Sequence, residues 1–406
     1  MKTIFQTGHG KGLARAEIEA IYGINSVLDE VDDGLMVEAE LSDPVAHLNR
    51  LGGVVRITQV LQSGPASMPL NFEEWIVKAV DEHISSNRKM ANKEGKVRYG
   101  VSMHPKSEKV LTKILKNSKN RLKESLGNVR FVNKDFQNLS SVQAWHENLL
   151  APAAIELQLF QSDKKWYLAK TLAIQNFEWY SYRDYDRPAR SAKNGMFPPK
   201  VAQELINLAT GTLSPSKDFT IYDPFCGSGT VLQEAWLMGF SAQGSDLNTE
   251  CVSDSKENLT WLQGVAQFEK MATLEGLPYI FQKDALDLTS EDLPQGNFAL
   301  VSETTLGPPL VRPLSDMELQ KLHRELEALY EAFFANLKTI VPSGTVMVFT
   351  APYHRRGNDR FFLKHLPEIL TDHTEIIPLS THARPSLFFE RKDQLVSREI
   401  WKIRIG

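Results

Sequence analysis

The sequence predicts an α/β protein: strands and helices alternate from residue 201 to 406, preceded by two smaller α+β units. Three observations lead there. A chain of 406 residues is long enough for two or three domains. Past residue 200, apolar β-branched runs alternate with helical periodicity, the pattern of a sheet with crossover helices. Within it, IYDPFCGSGT at 221–230 passes from a strand through an acid and a glycine loop into an amphipathic helix. With 42% hydrophobic and 24% charged residues, the composition excludes a disordered or fibrous chain. Two cysteines, Cys226 and Cys251, cannot build a disulfide framework and point to a reducing compartment. No stretch reaches the roughly 18 apolar residues of a membrane span. The first residues read as strand, loop and helix rather than a signal peptide, so a cytoplasmic protein is expected.

The elements follow in order. Residues 4–7 form a strand, and 13–21 a helix with Leu13, Ala16, Ile18 and Ile21 on one face. A strand at 34–39, a helix at 45–51 and a β-branched strand at 54–61 complete a first unit over 1–62. SGPASMP at 63–69 has the turn residues of a connector. The second unit, 70–175, carries helices at 72–85, 106–126 and 142–149 and strands at 97–102, 129–131, 154–161 and 165–174. Residues 176–200, rich in Tyr, Arg and Pro, form a linker. In the last domain, strands are expected at 221–223, 241–245, 279–282, 297–303 and 345–350.

Charge is unevenly placed. Residues 88–130 hold thirteen lysines and arginines against three acids, a net +10 in a chain whose total is −4. Such segregation suits a polyanion. Lys109, Lys113, Lys116 and Lys123 line one side of an apolar seam of Val110, Leu111, Ile114, Leu115 and Leu122. A solubilising helix face is the bland reading. A phosphate-backbone contact is the sharper one, because so few acids are interspersed. Lys93, Lys96, Arg98 and Arg121 belong to the same footprint.

Three acids stand at three successive strand ends: Asp223, Asp246 and Asp284. In open α/β sheets the carboxyl edge is where ligands bind. Gly227 and Gly229 let a backbone turn tightly beside a ligand, and the helix after them offers free N–H groups. Asp246 suits ribose hydroxyls, and Asp284 an exocyclic adenine amine. No full GxGxxG signature is present, and Asp223 inside the loop would repel a pyrophosphate. A cationic, amine-bearing nucleoside such as S-adenosylmethionine fits better. The histidines and cysteines show no metal-ligand spacing, so no metal is expected.

DPFCGSGT with its following helix resembles motif I of the class I methyltransferases, in the subgroup acting on exocyclic amines. YSYRDYDRPARSAKNGMFPPKVAQELINLA resembles the segment entering the catalytic domain of THUMP-containing tRNA guanine-N2-methyltransferases, which modify guanosine 10. GLARAEIEAIYG is similar to that family's opening unit. KSEKVLTKILKNSKNRLKES, LSSVQAWHENLL and KKWYLAKTLAIQN resemble its THUMP domain, and SLFFERKDQLVSREIWKI its closing strands. The resemblance implies a Rossmann-like, mostly parallel sheet with an antiparallel closing strand, preceded by ferredoxin-like (1–62) and THUMP-like (70–175) domains. It implies S-adenosylmethionine as cofactor and tRNA as partner, with the chain acting as a monomer away from membranes. Asp223, Phe225, Gly227 and Gly229 would cradle the methionine moiety, Asp246 the ribose, and Asp284 with Ala285 the adenine. Met196, Pro198 and Pro199 fall where the family's pre-domain segment touches the cofactor.

One departure stands out. The family's catalytic loop reads Asp/Asn-Pro-Pro-Tyr/Phe, its acid or amide binding the target amine and its aromatic stacking on the flipped base. Here the stretch is Glu303-Thr304-Thr305-Leu306, with Pro308 and Pro309 arriving later. Three explanations stay open: Glu303 accepts the amine in a variant site, the site has decayed into an RNA-binding one, or another base is received. Glu303 is the catalytic candidate. Tyr353, beside Arg355 and Arg356 in a loop after the fifth strand, is a candidate stacker and RNA contact. Phe388 and Phe389 read as core.

Overall fold

A computed structural model describes residues 1–8, 10–67, 71–87, 97–105, 107–126, 129–190, 197–268, 272, 274–380, 384–391 and 394–406. The chain divides into two compact units, Met1–Phe177 and Glu178–Gly406.

The first unit holds β1 (Lys2–Thr7), α1 (Lys11–Tyr22), β2 (Val27–Val31), β3 (Gly34–Glu38), α2 (Pro44–Arg50), β4 (Val54–Pro65), α3 (Phe72–Ser86), β5 (Val97–His104), α4 (Glu108–Leu126), β6 (Val129–Phe131), α5 (Ser141–His146), β7 (Ala154–Gln161) and β8 (Lys165–Ile174). Its strands form one sheet in the order β2-β3-β1-β4-β8-β7-β5-β6. The two expected α+β units are therefore joined by hydrogen bonds, because β4 pairs antiparallel with β8 from Arg56↔Ile174 to Pro65↔Lys165. Three residues of the expected connector, Ser63, Gly64 and Pro65, belong to this strand. The sequence reading passed over β2, whose signal is Asp32-Asp33, the two-residue hairpin turn between Val31 and Gly34, with Asp33 at φ 58°.

On α4, Leu111, Ile114, Leu115 and Leu122 are buried in a cluster with Trp75, Ile76, Tyr99 and Leu157. Val110, expected in that seam, is 46% exposed: it precedes Leu111 and falls outside the apolar stripe.

The second unit holds α6 (Phe177–Tyr185), α7 (Pro199–Thr210), β9 (Phe219–Asp223), α8 (Thr230–Leu237), β10 (Ser241–Asp246), α9 (Thr249–Phe268), β11 (Tyr279–Gln282), β12 (Asn297–Glu303), α10 (Asp316–Ile340), β13 (Val346–Arg356), β14 (Asp359–Phe362), α11 (Leu366–His373), β15 (Thr374–Ile376), β16 (Leu387–Phe389) and β17 (Val396–Ile405). The sheet runs β11-β10-β9-β12-β13-β17-β15, with β14 on β13 and β16 on β17. β11, β10, β9, β12 and β13 are mutually parallel, and β17 runs antiparallel to β13. This is the mostly parallel sheet with an antiparallel closing strand that the sequence predicts. Strand order reverses between β9 and β12, the switch point where a ligand crevice opens in such sheets. α10 starts with a Ser315–Glu318 capping box and lays Leu322, Leu326, Tyr330, Phe333 and Leu337 on the sheet at helical spacing.

Among the described residues, no helix is long and apolar enough to cross a membrane.

Candidate active site

The switch point is where the acids gather. β9 ends at Asp223, which is 2% exposed and uses Oδ1 to accept from Ser302 Oγ at 2.6 Å and from Phe225 N at 3.0 Å. Ser302 lies on β12, so this bond ties together the carboxyl ends of the two strands flanking the crevice. Burial pushes the Asp223 carboxyl up to about 8, against the pull of those two donors.

The loop after β9 is held open and rigid. Gly227 and Gly229 take φ of 53° and 86°, the left-handed region that favours glycine. Gly227 N donates to Asp246 Oδ2 at 2.9 Å, Ser255 Oγ to Gly227 O at 3.1 Å, and Asn258 Nδ2 to Ser228 O at 2.9 Å. A Cβ on Gly229 would stand 2.5 Å from Ser255 Oγ, so α9 presses directly on the loop. The sequence reading missed Ser255 and Asn258, whose signal is weak: two polar residues three apart in α9, buried toward its neighbour.

Asp246 ends β10 and accepts one backbone N–H on each oxygen, from Gly227 and from Asn248 at 2.9 Å. A carboxylate has about four acceptor positions, so two remain. Asp284 caps the turn after β11 by accepting from Leu286 N, while Lys283 N donates to Asp246 O. Ala285 is 4% exposed and packs in the core. Phe225 also packs inward, its ring meeting Phe333 at 5.1 Å, so its backbone rather than its side chain shapes the loop. Pro198 is buried and caps α7. Met196, Lys93 and Lys96 lie outside the described residues.

Glu303 closes β12 and forms an ion pair with Arg398 of β17, which is itself buried and lies over the Phe197 ring. Burial raises the Glu303 carboxyl above its ordinary value, opposed by Arg398. Nothing in the sequence signals this partner: the acid at the end of β12 carries a built-in cation. Thr304, where the family has its first proline, is buried and hydrogen-bonds Tyr330 and the Thr350 carbonyl. Thr305 accepts from Gly307 N, and Pro308 and Pro309 are exposed.

Tyr353 is the clearest correction. It is fully buried inside β13, donates to Glu390, and packs against Phe362 and Phe388. The strand continues to Arg356, so no loop presents this ring to a base. Arg356 pairs with Asp316 and stacks over Phe361, and Arg355 bonds the Arg391 carbonyl. In the other unit, Lys109, Lys113, Lys116, Arg121 and Lys123 stand exposed along α4, and none forms an ion pair among the described residues. Arg98 is on β5, partly buried, off that helix.

Residues 181–293 match the family described as rRNA methyltransferase AviRa. A tRNA (guanine(10)-N2)-dimethyltransferase of Methanothermobacter thermautotrophicus is 26% identical over 191 residues, 47% of this chain and 48% of that protein. One of the same name from Pyrococcus abyssi is 27% identical over 201 residues, 50% and 54% of the two chains. The chain spans about half the length of these curated relatives. Among solved structures, TrmN from Thermus thermophilus aligns over 100% of this chain and 99% of its own, with a TM-score of 0.51 at 14% identity. That likeness establishes the fold.

Proposed function

We propose that this protein is an S-adenosylmethionine-dependent tRNA methyltransferase acting on the exocyclic N2 amine of a guanosine, with position 10 as the site. The observation that carries the reading is the crevice itself: a clamped glycine loop between Asp223 and Asp246, with Asp284 on the next strand. Its residues fit the cofactor. Asp246 keeps two acceptor positions for a ribose diol. The side-chain-free turn at Gly227 and Gly229 allows close backbone approach. A cation placed beside Asp223 would favour the ionised form that burial opposes. When bound, S-adenosylmethionine supplies an electrophilic methyl group on a sulfonium. This chain's share of the work is positioning and water exclusion, because a guanine amine is a weak nucleophile.

Glu303 is the group that would accept a hydrogen bond from the target amine, held in place by Arg398. The exposed cations of α4 would hold the RNA backbone, read by shape and phosphate rather than by sequence. The compartment we propose is the cytoplasm, where such a substrate is met.

A second reading draws on one specific observation: Glu303 is already neutralised, and threonines and a leucine stand where two prolines and an aromatic belong. On that reading the protein binds tRNA and cofactor without turnover. Transfer of radiolabelled methyl from S-adenosylmethionine to bulk tRNA, with nucleoside analysis of the digest, separates the two. Labelled N2-methylguanosine is the expected product. Binding of both partners with no transfer would select the second reading, and a labelled nucleoside of another kind would overturn the choice of base.

A further inference from the structure

We propose that Arg187 is a carboxylate anchor for the amino-acid end of the cofactor, a deepening that rests on the cofactor reading above. Arg187 follows α6 and is 2% exposed. Its guanidinium has five N–H donors. Nη1 donates to Thr230 Oγ1 at 2.7 Å, whereas Nε and Nη2 are buried without a hydrogen-bond partner among the described residues. A buried cation with an unsatisfied edge is costly unless something supplies an acceptor there.

Among the described residues no such acceptor bonds that edge. The acid of α8, Glu234, is taken by Arg183, which binds it side-on through Nε to Oε1 at 2.8 Å and Nη2 to Oε2 at 3.1 Å. Arg183 is further covered by the Tyr180 ring at 4.2 Å. Asp184 and Glu234 act on Arg187 through their charge, without a hydrogen bond to it. Arg187 therefore presents, unused, the same Nε/Nη2 edge with which its neighbour grips a carboxylate.

Its location fits. Thr230 is the first residue of α8, directly after Gly229, and no side chain caps that helix start. The free N–H groups there and the open guanidinium edge lie one hydrogen bond apart, through the Thr230 hydroxyl. Both favour an anion. A nucleoside held by Asp246 and the glycine loop, and bearing an amino-acid tail, carries one anionic group: its α-carboxylate. A planar two-oxygen acceptor matches the open edge of Arg187.

Two ligands test the assignment on the full chain: S-adenosylhomocysteine and its decarboxylated analogue, 5′-deoxy-5′-(3-aminopropylthio)adenosine. Calorimetric titration should give the wild type about tenfold or greater preference for the carboxylate-bearing ligand. Arg187→Met should bind the two within about twofold of each other while keeping its affinity for the analogue, and Arg187→Lys should fall between. A wild-type ratio near one overturns the proposal without any variant. So does an Arg187→Met protein that keeps the full preference. If the wild type binds neither nucleoside, the cofactor reading falls and this assignment with it. Melting curves without ligand report whether each variant folds.

Discussion

The Arg398 guanidinium reaches across from β17 to pair with Glu303 at the end of β12. Strand β13 lies between them in the sheet, with Glu303 beside Thr350 and Arg398 opposite Pro352. The candidate catalytic position of this crevice is thus an acid paired with a long-range cation, a different arrangement from an acid followed by two prolines.

Arg398→Met should expose that dependence. Burial alone then acts on Glu303, and its carboxyl rises further above its unfolded value. Ionisation would oppose folding as pH increases, so the variant's deficit in melting temperature should grow from pH 5 to pH 8. Breaking the pair should cost on the order of 3 kcal/mol, and Glu303→Gln added to it should recover part of that. In the transfer assay, the acidic limb of the rate profile should move to higher pH. An unmoved limb would dismiss Glu303 as the amine acceptor.

Gly229→Ala tests the loop. At φ 86°, with a Cβ 2.5 Å from Ser255 Oγ, alanine is strained and collides with α9. A loss of about 1–3 kcal/mol in urea unfolding is expected, with S-adenosylhomocysteine affinity falling at least tenfold. Ser255→Ala combined with it should restore part of the stability, because it removes the atom in the way.

Much of this site was legible locally. The carboxyl-edge acids Asp223, Asp246 and Asp284 followed from acids placed at or just past short strands, which are near-neighbour patterns. Tyr353 was misread for a physical reason. Pro352 looks like a strand breaker, yet β12 stops pairing with β13 at Thr350 and β14 starts at Tyr353, so the missing N–H falls in a gap in the ladder. The Glu303–Arg398 pair joins residues 95 positions apart, and no periodicity carries such information. Arg187 was hidden similarly, since a buried arginine and an exposed one look alike in a Tyr- and Arg-rich linker.

Asp223 should make stability fall with rising pH. Its folded value of about 8 stands above the unfolded 3.8, so the native state holds the proton more tightly and ionisation opposes folding across that window. Asn keeps an acceptor oxygen for Phe225 N and Ser302 Oγ but does not titrate. Relative to wild type, Asp223→Asn should therefore gain melting temperature between pH 5 and pH 8. A constant difference across that range would show that Asp223 stays ionised throughout.

The α4 cations predict a salt response. Lys109, Lys113 and Lys123 are exposed and make no ion pairs among the described residues, so replacing all three with Gln should leave the melting temperature nearly unchanged. If each neutralises a phosphate, the slope of log affinity for tRNA against log salt should become shallower by about 0.7–0.9 per residue, or about 2–3 in total. The same slope in wild type and variant would make this helix face a solubilising surface, and the RNA would have to be held elsewhere. Because the released counterions come from the RNA, the effect should be nearly independent of its sequence, which competition with unrelated RNAs of equal length checks.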